Sequence, residues 1–318
     1  MELELLLRSR LADPDPVVRR IALIELVDET DPDTAEPFLI SALQDANKEV
    51  RIEAAQALEA QDSPEAISAL LKALEDTEPT VREVAAQSLS ANKNPEVGAL
   101  LVEWTGHADS DVRVAIFRAL RELRLAAATI PALNALADED ARVRREAVGV
   151  LGWLKDVTTL SQLVNLAKTD PDTEVRRAAV GALGFASNDT VRVAVDLALF
   201  DVDWQVREEA ATVAGKLGLD SLVASLIRAL EDTYWQVRLK AARSLGRLKN
   251  KLAAPSLCEV LVHPISNLRK EAALALGEIA DTAALAALAV AAKDPDPDVR
   301  KAVNLAVSRI SLVHNKTQ

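Results

Sequence analysis

The chain has 318 residues, and 37 Lys and Arg against 49 Asp and Glu leave a formal net charge of −12. An acidic chain repels nucleic-acid phosphates, so no nucleic-acid partner is expected. One Cys and three His leave no material for an internal disulfide or a Cys-built metal centre, and no run of about 18 apolar residues exists to span a membrane.

Each predicted unit is written around one Arg. In chain order these are Arg19, Arg51, Arg82, Arg113, Arg144, Arg176, Arg207, Arg238, Arg269 and Arg300, spaced 31 or 32 residues apart. The residue before it is Val nine times and Leu268 once, Ala comes three residues later in eight units, and Leu comes seven later in eight. These positions share one helical face, so each Arg opens an amphipathic helix, here called B. A second apolar stretch with helical spacing precedes each B, as at 66–74 and 221–230, and is read as helix A. Turn formers separate the two. Examples are Asp13-Pro14-Asp15-Pro16, Asp76-Thr77-Glu78-Pro79, Asp170-Pro171-Asp172 and Asp294-Pro295-Asp296-Pro297. Pro16, Pro79 and Pro297 suit the first turn of a helix, where a missing N–H costs nothing.

A hairpin of about 31 residues cannot bury its apolar face alone, so the hairpins must stack. The expectation is an all-α fold: an α-solenoid superhelix of about ten helical hairpins, one domain over residues 1–312, then a loose polar tail at 313–318. Aromatics make only 3% of the chain, so Ala, Leu and Val must build its core. The opening Met1-Glu2-Leu3-Glu4-Leu5 lacks the basic region of a secretion signal, and a cytoplasmic location is expected.

Asp stands six residues before the Arg in eight units, at 13, 45, 76, 138, 170, 201, 232 and 294, and His107 and His263 take the other two places. A turn Asp followed six residues later by Arg in Val-Arg resembles the HEAT repeat. The short period, with Leu-Gly late in helix B, resembles the HEAT-like subclass of phycobilin lyase subunits. That resemblance implies a non-catalytic interaction scaffold or chaperone-like adaptor that binds its partner on a concave face. It also implies two alternatives: a phycobilin lyase subunit that attaches or handles bilin on phycobiliproteins, and a HEAT partner of an iron–sulfur cluster scaffold.

Stacking at a fixed offset brings each Arg within reach of its neighbour's Asp, so the repeated pair is expected to form a ladder of charge-assisted hydrogen bonds. Gly recurs eight residues after the Arg at 152, 184, 215, 246 and 277, where close helix approach would justify its cost. No Gly-rich phosphate loop, His-Glu metal motif or His-Cys dipeptide occurs, so no catalytic residue and no cofactor is assigned, and Cys258 reads as a small core hydrophobe.

If the B helices line the ligand-facing side, the columns one, five and nine after the Arg point outward. They carry ten basic residues, among them Arg118, Arg243 and Arg247, against five acidic ones. A stripe more basic than the rest of the chain suits an acidic protein. Aromatic placement adds candidates: Trp153 and Phe185 nine residues after the Arg, Trp204 and Trp235 three before it, and Tyr234 beside the latter. Trp104 reads as core.

Overall fold

A computed structural model describes residues 8–186 and 188–317. Met1–Leu5 and Gln318 lie outside the described residues. The chain divides into two compact units that meet between Leu154 and Lys155.

In the first unit the helices are α1 (Pro16–Glu29), α2 (Pro32–Ala42), α3 (Lys48–Ala57), α4 (Pro64–Ala73), α5 (Pro79–Ala91), α6 (Gly98–Glu103), α7 (Ser110–Leu123), α8 (Thr129–Ala135) and α9 (Ala141–Leu154). In the second they are α10 (Leu160–Thr169), α11 (Thr173–Ala182), α12 (Asp189–Ala198), α13 (Trp204–Lys216), α14 (Val223–Ala229), α15 (Trp235–Leu248), α16 (Ala254–Val260), α17 (Ser266–Ile279), α18 (Leu285–Ala291) and α19 (Pro297–Thr317). Odd-numbered helices are the B helices and even-numbered ones the A helices. The helix α19 continues to Thr317, across most of the segment expected to be a loose tail.

Within each unit the B helices pack side by side in one row, and each A helix packs on the B helix that follows it. The key Arg is always the fourth residue of its B helix, because the turn before it is a helix start. Asp15, Asn47, Asp109, Asp172 and Asp203 accept backbone N–H groups of the first turn as N-caps. Pro16, Pro79 and Pro297 open α1, α5 and α19.

The apolar columns form the core. Val50, Val81, Val143, Val206 and Val237, each before its Arg, are at most 1% exposed, as are Ala54, Ala85, Ala147, Ala210 and Ala241 three residues after it. The small Ala column lets neighbouring B helices approach closely, and glycine extends that approach in the second unit. A Cβ on Gly246 would lie 2.8 Å from the Ala275 Cα, and one on Gly277 would lie 2.7 Å from the Ala306 Cα. Gly215 leaves room for Ser244, whose hydroxyl donates to the Ala211 carbonyl at 2.6 Å. Gly184 differs: its neighbours are the Gly181 carbonyl and the Lys216 side chain.

Candidate functional site

The turn between A and B is where polar chemistry concentrates. In the first unit Arg19 pairs with Asp45, Arg51 with Asp76 and Arg113 with Asp138. In the second, Arg176 pairs with Asp201, Arg207 with Asp232 and Arg269 with Asp294. Each pair is bidentate, with Nε and Nη2 donating to the two carboxylate oxygens at 2.6–2.9 Å. The Arg Nη1 donates backwards to the main chain of its own turn, as from Arg113 to the His107 carbonyl at 2.8 Å. Each guanidinium therefore staples two successive turns.

The Asp has a second task, accepting the backbone N–H two residues on, as Asp201 does from Asp203 at 2.9 Å. The Arg19 guanidinium holds the Asp45 carboxyl below its usual range. Burial pushes Asp138 and Asp201 upward, but the bonds from Arg113 and Arg176 outweigh it and both lie below the usual range. These groups are consumed by the fold and leave nothing to bind a ligand.

The two His rungs differ from the rest and from each other. Both rings accept a turn N–H at Nδ1, from Asp109 and from Ile265, each at 3.1 Å. The His107 Nε2 lies 3.1 Å from Glu75 Oε1, and the ring stacks on Trp104 with centroids 5.4 Å apart. Trp104 is thus half-buried against a turn and is not core. The His263 Nε2 instead lies 2.8 Å from Arg238 Nη1.

The predicted basic stripe is largely internally paired. Arg118 lies 3.5 Å from Glu146, and Arg121 and Arg145 each approach the same buried carboxylate at 3.1 Å. Arg243 grips Glu271 with two bonds of 2.9 and 2.8 Å. Of the stripe's described residues in the second unit, Lys216, Arg247, Lys270 and Lys301 have no ion pair, so these carry its accessible positive charge. The glutamates two residues after the key Arg form these pairs. They lie outside the three columns from which the sequence reading drew the stripe.

The aromatic candidates fall in different places. Trp153, in the first unit, is 45% exposed and lies under the Arg124 guanidinium, 4.4 Å from its ring centroid. Phe185, in the second, is half-buried. Trp204 stacks on Tyr234 rather than on Trp235, with centroids 5.2 Å apart and planes 11° apart. Tyr234 and Trp235 are 45% and 39% exposed, and Val202 on the neighbouring turn is 93% exposed. Phe200 adds a ring covered by Arg228. The A–B turn edge of the second unit is therefore an apolar strip with an aromatic centre.

Cys258 is half-buried rather than core, and burial, Asp281 and Glu259 push its thiol up, away from the thiolate. No group of three or more His, Cys, Asp or Glu among the described residues could hold a metal ion. No helix among them is long and apolar enough to cross a membrane.

A family described as HEAT repeats matches residues 4–90, 67–140, 98–184, 191–266 and 254–316. The chain belongs to the HEAT-repeat family. Its Asp-to-Arg staple, found rung after rung in both units, is what that membership looks like in atoms. An engineered protein of known structure is 22% identical and has a TM-score of 0.53, over 98% of this chain and 99% of its own. Importin beta is 17% identical with a TM-score of 0.65, over 96% of this chain and 50% of its own, so this HEAT chain spans about half the importin's length. YibA of Escherichia coli is 19% identical with a TM-score of 0.57, over 81% of this chain and 94% of its own. No curated protein sequence matches.

Proposed function

We propose that this chain is a non-catalytic scaffold that holds an acidic protein partner against the A–B turn edge and the B-helix face of its second unit. One observation carries the reading. In a chain with 3% aromatic residues, Trp204, Tyr234 and Trp235 gather on adjacent turns, with two of the three rings substantially exposed. Such rings bury large areas on binding at low entropic cost. Arg247, Lys270 and Lys301 on the same unit supply positive charge to steer an acidic surface. A similarly folded chain, Kap95, has been solved in complex with Nup1. The resemblance to phycobilin lyases makes a phycobiliprotein the first partner to test, and an iron–sulfur cluster scaffold the second.

The test starts with crosslinking in the native cell and mass spectrometry, followed by affinity measurements on the purified pair. Trp204→Ala with Trp235→Ala should weaken binding at least about tenfold, as expected of an aromatic hot spot. Arg247→Glu with Lys270→Glu should weaken it further and flatten its salt dependence. Arg243 is left alone, because reversing it would place two carboxylates together at Glu271. A partner that binds both variants with unchanged affinity overturns the reading.

A further inference from the structure

The rung between α15 and α17 has no carboxylate to accept from its Arg. Its turn residue is His263, where Asp232 and Asp294 occupy the same place in the adjoining rungs. His263 Nδ1 accepts the Ile265 N–H at 3.1 Å, so the neutral ring carries its proton on Nε2. That N–H faces Arg238 Nη1, itself a donor, at 2.8 Å. Arg238 Nε is buried and makes no hydrogen bond. Nη2 has only a 3.3 Å bond to the Thr233 carbonyl. Burial, Arg238 and Arg269 all push the His263 ring below its usual pKa of 6.5, which keeps it neutral at physiological pH.

These donors line a cavity of about 350 Å³, walled by Ile227, Leu230, Val260 and Val262 with the Ser256 hydroxyl beside them. Glu231 and Glu259 also line it, and neither forms an ion pair with Arg238. Two carboxylates in the wall disfavour a dianion such as phosphate more than a singly charged group. The apolar wall suits a short aliphatic stem. Trp235 lies three residues before Arg238 on α15, so the cavity and the exposed aromatic edge share one helix face.

We infer that this cavity is a carboxylate pocket, in which a Glu or Asp side chain from the acidic protein partner completes the rung by accepting from Arg238 and from the His263 Nε2–H. The inference rests on the scaffold reading and names the contact that the partner's acid makes. Charge-assisted bonds from Arg238 are what the other rungs make to their Asp, and a partner's carboxylate would supply that acceptor here.

The probe is a capped eight-residue peptide of alternating glutamate and leucine, titrated into the full chain by calorimetry, with butyrate and inorganic phosphate in parallel. ¹⁵N NMR follows the His263 ring. The peptide should bind, shift the Nε2 resonance and leave Nδ1 unprotonated. His263→Asp restores the rung used elsewhere in the ladder, so it should raise the melting temperature while weakening the peptide by about ten- to a hundred-fold, the loss of one charged hydrogen bond. Arg238→Gln should weaken the peptide similarly. Absence of peptide binding to the unaltered chain, equal binding to the His263→Asp variant, or tighter binding of phosphate would each overturn the pocket. Butyrate as tight as the peptide would overturn its assignment to a partner's side chain. Trp204→Ala with Trp235→Ala reads the aromatic edge and His263→Asp reads the pocket, so either can fail while the other stands.

Discussion

The ladder can be weighed by an internal comparison within the first unit. Arg113 and Arg82 occupy the same place in their helices, but only Arg113 has a carboxylate. Arg113 donates to Asp138 at 2.7 and 2.9 Å and to the His107 and Ala108 carbonyls at 2.8 and 2.9 Å. Arg82 donates to the Asp76 and Thr77 carbonyls at 2.7 and 3.3 Å, and its neighbour's turn offers His107, which is turned to Glu75. Changing either Arg to Ala removes the carbonyl bonds, so that loss cancels in the comparison. What remains is the bidentate pair, whose side chains are only 17% and 12% exposed. A charged hydrogen-bonded pair at that depth contributes about 1.5–3 kcal/mol.

Arg113→Ala should therefore destabilise the unit by about 1.5–3 kcal/mol more than Arg82→Ala, a gap of roughly 4–10 °C in melting temperature for a unit of this size. Urea unfolding gives the global value. Hydrogen exchange at α7 and α8 gives the local one, which matters because repeat arrays can unfold in parts. The gap also has a pH signature. Asp138 titrates below its usual range when folded, so the pair's contribution is complete at neutral pH and disappears as pH falls through the folded pKa. Equal losses from the two substitutions, or a gap that persists in strong acid, would refute the ladder as a source of stability.

Four further outcomes follow from packing and burial. Gly246→Ala should cost about 1–3 kcal/mol by urea midpoint, because the new methyl meets the α17 backbone at Ala275. Gly149→Ala meets only the flexible Arg121 side chain and should gain up to ~1 kcal/mol of helix propensity. Ala280 ends α17 in the left-handed region at φ 55°, so Ala280→Gly should raise stability by about 1 kcal/mol in thermal unfolding. Burial raises the Glu209 carboxyl, so its ionised form strains the fold once pH passes through the folded pKa. Glu209→Gln should then stabilise at pH 7 and do little below pH ~4, as urea midpoints at the two pH values will show.

The fold was legible because its determinants repeat in register. Ten Arg at a nearly constant period, with Val before and Ala and Leu after, fix helix, buried face and partner at once. The site was legible only in part, because it depends on the offset between neighbouring hairpins. His107 and His263 look identical in sequence, yet one ring meets Glu75 and the other Arg238. Trp204 and Trp235 share a register position, yet Trp204 finds Tyr234. Arg243 counted as free positive charge until Glu271, 28 residues on, came within reach. Periodicity specifies which column a residue occupies. It does not give the rotation that decides which member of the next column a long side chain touches.

The staple also governs where the repeat can change length. At Arg19, Arg51, Arg113, Arg176, Arg207 and Arg300 the Nη1 takes the carbonyl six residues back, so the short span from the turn residue to the Arg is the same in each. The longer span from Arg to the next Asp is 26 residues at Arg19 and 25 at Arg51, Arg113, Arg176, Arg207 and Arg269. The extra residue thus sits away from the turn that holds the rung. One edge of each hairpin is metrically locked and the opposite edge is free. Insertions, tags and split sites belong on the free edge, where they lengthen the protein without breaking the count that holds it together.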